Sequence, residues 1–567
     1  MLDSPASLVL TALAAALVIV MIPRLVAAVR IAFGVRRQER ARLAAREPDF
    51  DSARAYHERL PDAETRQALD DRTWRDLDLD DVFCRLDFTV SEPGRQHLYH
   101  LLRTPRFTAE PLARLDRAAR RLSDRDGADE RVRTPLRALR DPRAARLVDL
   151  CFDELPPRPR LWLLFPVLTT ASVMCLALVP VWPRAAVWWV GVCLVNVLVQ
   201  LAYKPRVKRF VPALHEVPAL LRAAGQLARL DLDEFAPERA VLAEGVRSLR
   251  SLVRPTRWLM FEPGHAGGMM SDVSGSAYEY ANMLFLLDVN AFVFTVEILR
   301  ASRDRMRAML EAIGYLDAAQ SVATWRGTLS RWCVPEFTPP QKAMHVEGLV
   351  HPLVTDAVPN ALEIDGASVL ISGSNMAGKT TFVRALGVNA VLAQTLSTVC
   401  AASWQAPFLR VRSSIGRMDS VLEGKSYYLA EVESILALIR AKESGDQHLF
   451  LLDETFRGTN TTERVAAAYA VLRHLNRGRD LVVVATHDLE VLDLLDGAFA
   501  PHHFREQIAG EALTFDYLLQ PGPSSTRNAI ALLRFMRYPD AVVADATAHL
   551  DWQARRGPLP GRDREPG

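Results

Sequence analysis

The sequence predicts an α/β domain of mainly parallel strands flanked by helices, placed behind a mainly α-helical region that also carries transmembrane helices. Three observations predict it. VLISGSNMAGKTTFVRAL, at Val369–Leu386, passes from β-branched apolar residues through a glycine-punctuated loop into helix formers. HLFLLDETFRGT, which begins at His448, is an apolar run that stops on two carboxylates. Three other stretches are apolar over lengths close to the thickness of a bilayer.

The loop fits G-x-x-x-x-G-K-[ST] from Gly373 to Thr380: Gly373, Ser374, Asn375, Met376, Ala377, Gly378, Lys379, Thr380. The two glycines allow a backbone closed to other residues, so that successive N–H groups and the positive end of the following helix face a phosphate. Lys379 reaches β- and γ-phosphates in such a loop, and the Thr380 hydroxyl ligates Mg²⁺. Thr381 continues the helix. The run His448–Leu452 suits a buried parallel strand that delivers Asp453 and Glu454 to its C-terminal end, where ligands sit in open α/β sheets. Asp453 is expected to hold Mg²⁺, directly or through water, and Glu454 to polarise an attacking water. A third strand, LVVVATHD, ends near His487, which would sense the same γ-phosphate.

SGSNMAGKTT, LLDETFRGTNTTE and VVATHDLEVL together resemble the MutS mismatch-repair family, with Asn375-Met376 in the loop and Arg457-Gly458-Thr459 after the acidic strand. HPLV at His351–Val354 resembles the opening of that family's ATPase domain, and LLQPGPSSTRNAIALL resembles the segment that closes it and braces a dimer. The resemblance covers residues 335 to 545 strongly. It reaches Leu77–Leu122 and Ile313–Phe337 more weakly, as the two ends of a helical core and lever region. Between them, Phe292, Val296, Leu299, Met306, Leu310 and Ile313 fall near the helical period. The resemblance implies a P-loop NTPase of the ABC/MutS type, ATP and Mg²⁺ as cofactors, and a homodimer with composite ATP sites in which Ser426 caps the γ-phosphate of the partner. It also implies duplex or branched DNA as a partner.

The chain departs from the family at several places. Ala377 replaces a glycine and Ser374 a proline. Ala357 and Val358 stand where an aromatic ring stacks on adenine, and GKSYYLAEV replaces a Gly-Arg-Ser-Thr-Phe run while keeping Ser426. Nothing upstream reads as the mismatch-reading domain with its Phe-x-Glu wedge, which is how the family feels a mismatch.

A net charge of +2 excludes the global basic field of a dedicated nucleic-acid coat. Lysine supplies only six of the 69 basic residues. The cysteines at 84, 151, 175, 193, 333 and 400 have no metal-ligand spacing, and a reduced compartment is the simplest reading.

Pro5–Pro23 is apolar apart from Ser7 and Thr11, and arginines dominate the residues after it. Leu161–Trp182 and Ala185–Tyr203 are separated only by Pro183-Arg184. Arg158 and Arg160 precede this hairpin, and Lys204, Arg206, Lys208 and Arg209 follow it. Both flanks are therefore expected in the cytoplasm, with three spans in contact with lipid in a bacterial inner membrane. ANMLFLLDVNAFVF, short and carrying Asp288 and Asn290, is expected to be a core helix.

The expected organisation is an anchor and basic juxtamembrane helix at 1–47, helical core at 75–155, and hairpin at 161–203. Lever helices at 204–335, the ATPase at 336–545 and a disordered Pro/Gly/Arg-rich tail at 546–567 complete it. Two functions suit this plan. One is a membrane-held, DNA-acting ATPase. The other is a nucleotide-driven membrane machine, against which stand the missing Leu-Ser-Gly-Gly-Gln signature and the small number of spans, or an ATP-dependent protein scaffold with no DNA role.

Overall fold

The computed structural model describes residues 50–61, 67–124, 127–207, 209–249, 280–373, 377–415, 427–454, 456, 460–495, 497–509, 512–523, 533 and 536–556. The expected first span at 5–23, Ser374, Asn375, Met376, Ser426 and Arg457–Thr459 lie outside the described residues.

Helices open the described chain: after a first one over Phe50–Arg59 come α1 (Asp71–Asp76), α2 (Leu79–Leu86), α3 (Glu92–Arg103) and α4 (Ala109–Ser123). Local chemistry starts two of them. Asp70 caps α1 by accepting from Thr73 N at 2.8 Å, and Ser91 caps α3 by accepting from Gly94 N at 3.0 Å. Further on come α5 (Leu164–Leu178), α6 (Ala185–Val207), α7 (Val211–Leu227), α8 (Ala236–Ser248), α9 (Leu287–Ala301) and the long α10 (Arg303–Arg326). Helix α10 is the spine of this region and packs on α3, α4 and α8. Its Asp317, fully buried, accepts from Val90 N, Ser91 N and Ser91 Oγ at 2.9, 2.7 and 2.6 Å, which fastens the start of α3 to it. Burial pushes the Asp317 carboxyl up to about 6 despite those donors.

The α/β part holds two sheets. The smaller is ordered β1 (Glu336–Phe337), β5 (Ser403–Ala406), β2 (Ala343–Leu349), β3 (Asn360–Asp365). The larger runs β10 (Ala512–Pro521), β9 (Phe499–Ala509), β4 (Ser368–Ser372), β8 (Leu481–Ala485), β7 (His448–Asp453), β6 (Arg410–Ser414). All its neighbours pair in parallel except the antiparallel edge strand β10. Both faces of β7 and β8 are covered. Phe450, Leu452, Val482 and Val484 pack on α12 (Tyr427–Lys442) and α13 (Thr461–Leu475), while α11 (Lys379–Leu396) lies against both strands and brings Gly387 beside Leu451. Burial on both faces is why these strands read as unbroken apolar runs.

Polar contacts join the helical region to the sheet. Asp70 pairs with Arg412, the Asp76 carboxylate accepts from Ser413 Oγ and Ile415 N, and Asp78 pairs with Arg384 of α11. Arg326, at the end of α10, donates to Ser397 O at 2.8 Å and Thr398 Oγ1 at 2.9 Å and pairs with Asp116 at 2.7 Å. The spine thus grips the C-terminal end of the helix whose first residue is Lys379.

Three expectations differ from what is found. The span expected at Leu161–Trp182 is a helix only over Leu164–Leu178, 15 residues, with turns on both sides; Pro180 and Pro183 end it on the C-terminal side. Among the described residues, one helix is long and apolar enough to cross a membrane, over Ala185–Tyr203. The segment expected as one core helix is broken: residues 280–285 are helical, Leu286 takes φ +54°, and α9 follows. Asn282 explains the break, because its amide oxygen accepts from Asp288 N at 2.9 Å and offers the backbone a partner outside the helix. Finally, Asp540–Arg556 is a helix where a disordered tail from 546 was expected. The five alanines of this run support a helix, and the Pro/Gly-rich residues begin only at Gly557.

Candidate nucleotide site

Three adjacent parallel strands, β4, β8 and β7, end at one edge of the larger sheet. After β4, Gly373 takes φ +133° and Gly378 φ +102°, backbone that favours glycine. A Cβ on Gly373 would sit 2.9 Å from Phe504 O, so the close approach to β9 also requires glycine there. Gly378 leads into α11, whose first residue is Lys379 and whose third, Thr381, is exposed. Ala377 is fully buried.

Lys379 is almost completely buried; its ammonium donates to Gly373 O and lies 3.2 Å from His487 Nε2. The Thr380 hydroxyl donates to Asp453 Oδ2 at 2.6 Å. Glu454 Oε1 stands 2.9 Å from His487 Nε2. Two local features aim these groups. Glu454 N donates to Ala485 O at 2.8 Å, tying the end of β7 to the end of β8, and Glu454 itself takes φ +52°. Phe456 follows at φ +61°. Paired left-handed non-glycine residues cost energy and are held where the surroundings over-determine them, as active segments are. The structure therefore brings together Gly373, Gly378, Lys379, Thr380, Asp453, Glu454 and His487 of the residues singled out from the sequence.

The donor set suits a hard cation. A hydroxyl and a carboxylate oxygen in direct contact, beside a loop built for phosphate, match the few protein ligands that Mg²⁺ takes when phosphates and waters complete its shell. Among the described residues no cluster of His, Cys, Asp and Glu offers a softer metal site.

Val358, expected near the base, lies half-buried ahead of β3, and its carbonyl accepts from Asn360 Nδ2 at 3.1 Å. Sequence reasoning missed what Asn360 does next. Its side chain also donates to Tyr517 O at 3.0 Å and accepts from Leu519 N at 2.7 Å, stitching that loop to β10. At this irregularity in β10, Tyr517 takes φ +52° and sets its ring against the phosphate loop, 3.3 Å from where a Cβ on Gly378 would be. It is the aromatic residue placed beside the loop that Ala357 and Val358 do not supply. Two other residues were missed. Glu431 of α12 accepts from Phe456 N, and Arg464 of α13 forks onto Asp488 at 2.7 and 2.8 Å, pinning the turn that carries His487. His351, which opens HPLV, is structural: burial, with Arg384 adding to it, lowers it to about 4, and its Nδ1 accepts from Leu353 N.

This is the edge at which a parallel α/β sheet handles a phosphate, and the sequence around it decides the family likeness. Residues 369–552 match MutS domain V. MutS domain V is a P-loop ATPase domain, and the match runs from β4 into the last described helix. The chain is 36% identical over 210 residues to the DNA mismatch repair protein MutS of Thermus aquaticus, which is 36% of this chain and 26% of that protein. With the DNA mismatch repair protein MutS of a Thermus thermophilus strain it shares 32% identity over 269 residues, 46% of this chain and 33% of the relative. With the DNA mismatch repair protein MutS 2 of Halobacterium salinarum it shares 30% over 279 residues, 47% of this chain and 31% of the relative. The matched part thus spans only about a quarter to a third of these MutS relatives.

Proposed function

We propose that this chain binds and hydrolyses ATP with Mg²⁺ at the edge formed by β4, β7 and β8, and that it does so as a membrane-anchored, DNA-acting dimer. The observation that carries the ATPase reading is the convergence of Lys379, the Thr380–Asp453 pair and the Glu454–His487 pair on one strand edge. Lys379 holds phosphate charge, and Thr380 with Asp453 holds the metal ion, which neutralises charge on the phosphates when bound. Glu454 orients and accepts a proton from the attacking water, with His487 against its carboxylate to register the γ-phosphate. Ser426 of each subunit completes the partner's site. Tyr517 gives the base a ring to stack on.

DNA contact rests on the likeness to proteins named for mismatch repair. With no wedge read in the sequence, the contact comes from arginines meeting phosphates, which position a protein without reading bases. Anchoring rests on the apolar hairpin of α5 and α6, whose outward side chains are largely exposed, and on the basic residues flanking it.

The experiment is ATP turnover and DNA binding by the detergent-solubilised full chain, with homoduplex, mismatched and branched DNA at low and physiological salt. The expected result is binding that falls steeply with salt and prefers mismatched over paired duplex by less than about tenfold. Strong mismatch preference would point to a reading element not identified in the sequence. No DNA binding at low salt would favour the nucleotide-driven membrane machine, a reading supported by the direct seating of α9 on the hairpin.

A further inference from the structure

At the base of the hairpin, the chain arrives as a proline-rich strap, Leu155-Pro-Pro-Arg-Pro-Arg160, before turning into α5. Between this strap, the end of α6 and the middle of α9 lies a cavity of about 400 Å³, lined by Pro156, Pro157, Arg158, Pro159, Arg160, Tyr203, Val289, Phe292 and Val293. Its wall from α6 and α9 is apolar, and its other wall carries two guanidinium groups and no carboxylate.

The charge is not spoken for. Arg158 lies over the Trp162 ring with its guanidinium carbon 3.5 Å from the centroid, and its Nε is buried without a hydrogen-bond partner among the described residues. Arg160 is exposed. The neighbouring acid, Asp153, is already met by Arg209 at 2.5 Å and by Arg59 at 3.5 Å. The cavity's α6 wall belongs to the hairpin, whose exposed face leaves Leu161, Leu163 and Leu201 uncovered.

We infer that this cavity binds one anionic phospholipid, its phosphate between Arg158 and Arg160 and its acyl chain along the uncovered Leu161, Leu163 and Leu201 of the hairpin. Charge selects the headgroup, because two unmatched cations at the apolar–polar boundary favour a phosphate that carries net charge over a zwitterion. Continuity with the exposed hairpin selects a lipid over a free phosphate, since only an amphiphile fills both walls. The site is also mechanically placed. Arg300, at the end of α9, donates to Leu155 O and Pro156 O at 3.2 Å each, and Arg303, the first residue of α10, donates to Cys151 O and Asp153 O just ahead of the strap, so the strap is tied to the junction between α9 and the spine helix that ends on α11. This inference rests on the membrane reading of the hairpin.

The test uses the full chain in nanodiscs of phosphatidylcholine with and without phosphatidylglycerol, and native mass spectrometry to count lipid retained after release into detergent. The wild type is expected to retain phosphatidylglycerol over phosphatidylcholine by about tenfold or more, and Arg158→Gln/Arg160→Gln to bring that ratio near one, with unchanged circular dichroism. Arg184→Gln, at the far end of the hairpin, should leave the preference intact. Equal retention of both lipids by the wild type, equal loss in Arg184→Gln, or displacement of retained phosphatidylglycerol by millimolar inorganic phosphate each overturns the lipid site while leaving the membrane reading standing. A chain that does not enter nanodiscs at all overturns both.

Discussion

The strands of the large sheet and the helices of the hairpin are both strongly apolar, and the molecule treats them in opposite ways. Leu449, Leu451 and Val483 are 0% exposed, enclosed between α11 on one face and α12 and α13 on the other. Leu161 and Val187 of the hairpin are 72% and 75% exposed. The difference lies in what the rest of the chain supplies. Each strand meets helices whose apolar faces complete its burial, and each large side chain so covered contributes roughly 1.5–3 kcal/mol. Among the described residues the hairpin packs on its own partner helix, α9 and the short helical stretch before α9, through contacts that are partly polar: Asn196 Nδ2 donates to Leu284 O at 2.6 Å and Asn290 Nδ2 to Thr169 Oγ1 at 2.8 Å. A polar seam inside and an apolar face outside is the inverse of the sheet, and it fits a solvent that is itself apolar.

That contrast can be broken by placing the same charge in both regions. Leu451→Asp buries an unpaired carboxylate between β7 and α11 and should cost more than about 4 kcal/mol, enough to abolish the melting transition of the α/β part in detergent. Leu194→Asp, on the uncovered face of α6, should leave that transition within about 0.5 kcal/mol in detergent but lower the fraction recovered with membranes. Equal melting losses from the two variants would mean that protein covers the hairpin after all.

A smaller effect sharpens the role of the sheet edge. Glu454→Gln keeps the shape and removes the base, so it should bind ATP yet turn it over at least about a hundredfold more slowly, roughly 2.7 kcal/mol in the barrier. Unchanged single-turnover rates would remove Glu454 from the chemistry and leave its left-handed backbone without a purpose.

The smallest effect belongs to the helical region between the two. Burial lowers His57 and His97 to about 4 and His100 to about 2, with Arg103 adding to His57, Arg106 to His97, and the neighbouring histidines to His100. Their folded forms bind protons less readily than the unfolded chain does, so the stability they contribute is complete above pH 6.5 and is lost as pH falls towards 4. Between pH 7 and pH 5.5 each should cost about 1 kcal/mol, part of it offset by Asp317, which takes up its proton near pH 6 in the fold. Chemical denaturation at stepped pH measures this; a helical region equally stable at pH 7 and 5.5 would contradict it.

What can be read from the sequence is what is local in it. The phosphate loop, the acidic strand end and His487 each announce themselves within about ten residues, because a turn of glycines or a buried strand has its own residue pattern. Asn360, Tyr517, Glu431 and Arg464 announce nothing. Each matters through a partner far along the chain, such as Asn360 with Tyr517, separated by 157 positions. Leu161–Trp182 reads as too long a helix because a hydropathy average runs through Pro180, whereas a helix does not tolerate a proline freely there. The break at Leu286 depends on one asparagine choosing a backbone partner, a choice visible only once Asp288 is in place.

The central claim is that one chain joins an ATP-hydrolysing sheet edge to a lipid-covered hairpin. It is tested most directly by measuring ATP turnover in salt-washed membranes and in the matching supernatant from cells expressing the wild type or Lys379→Ala. The account predicts turnover that sediments with the membranes in the wild type and is absent from both fractions of the variant. Turnover in the supernatant, or turnover that survives the loss of Lys379, would contradict it.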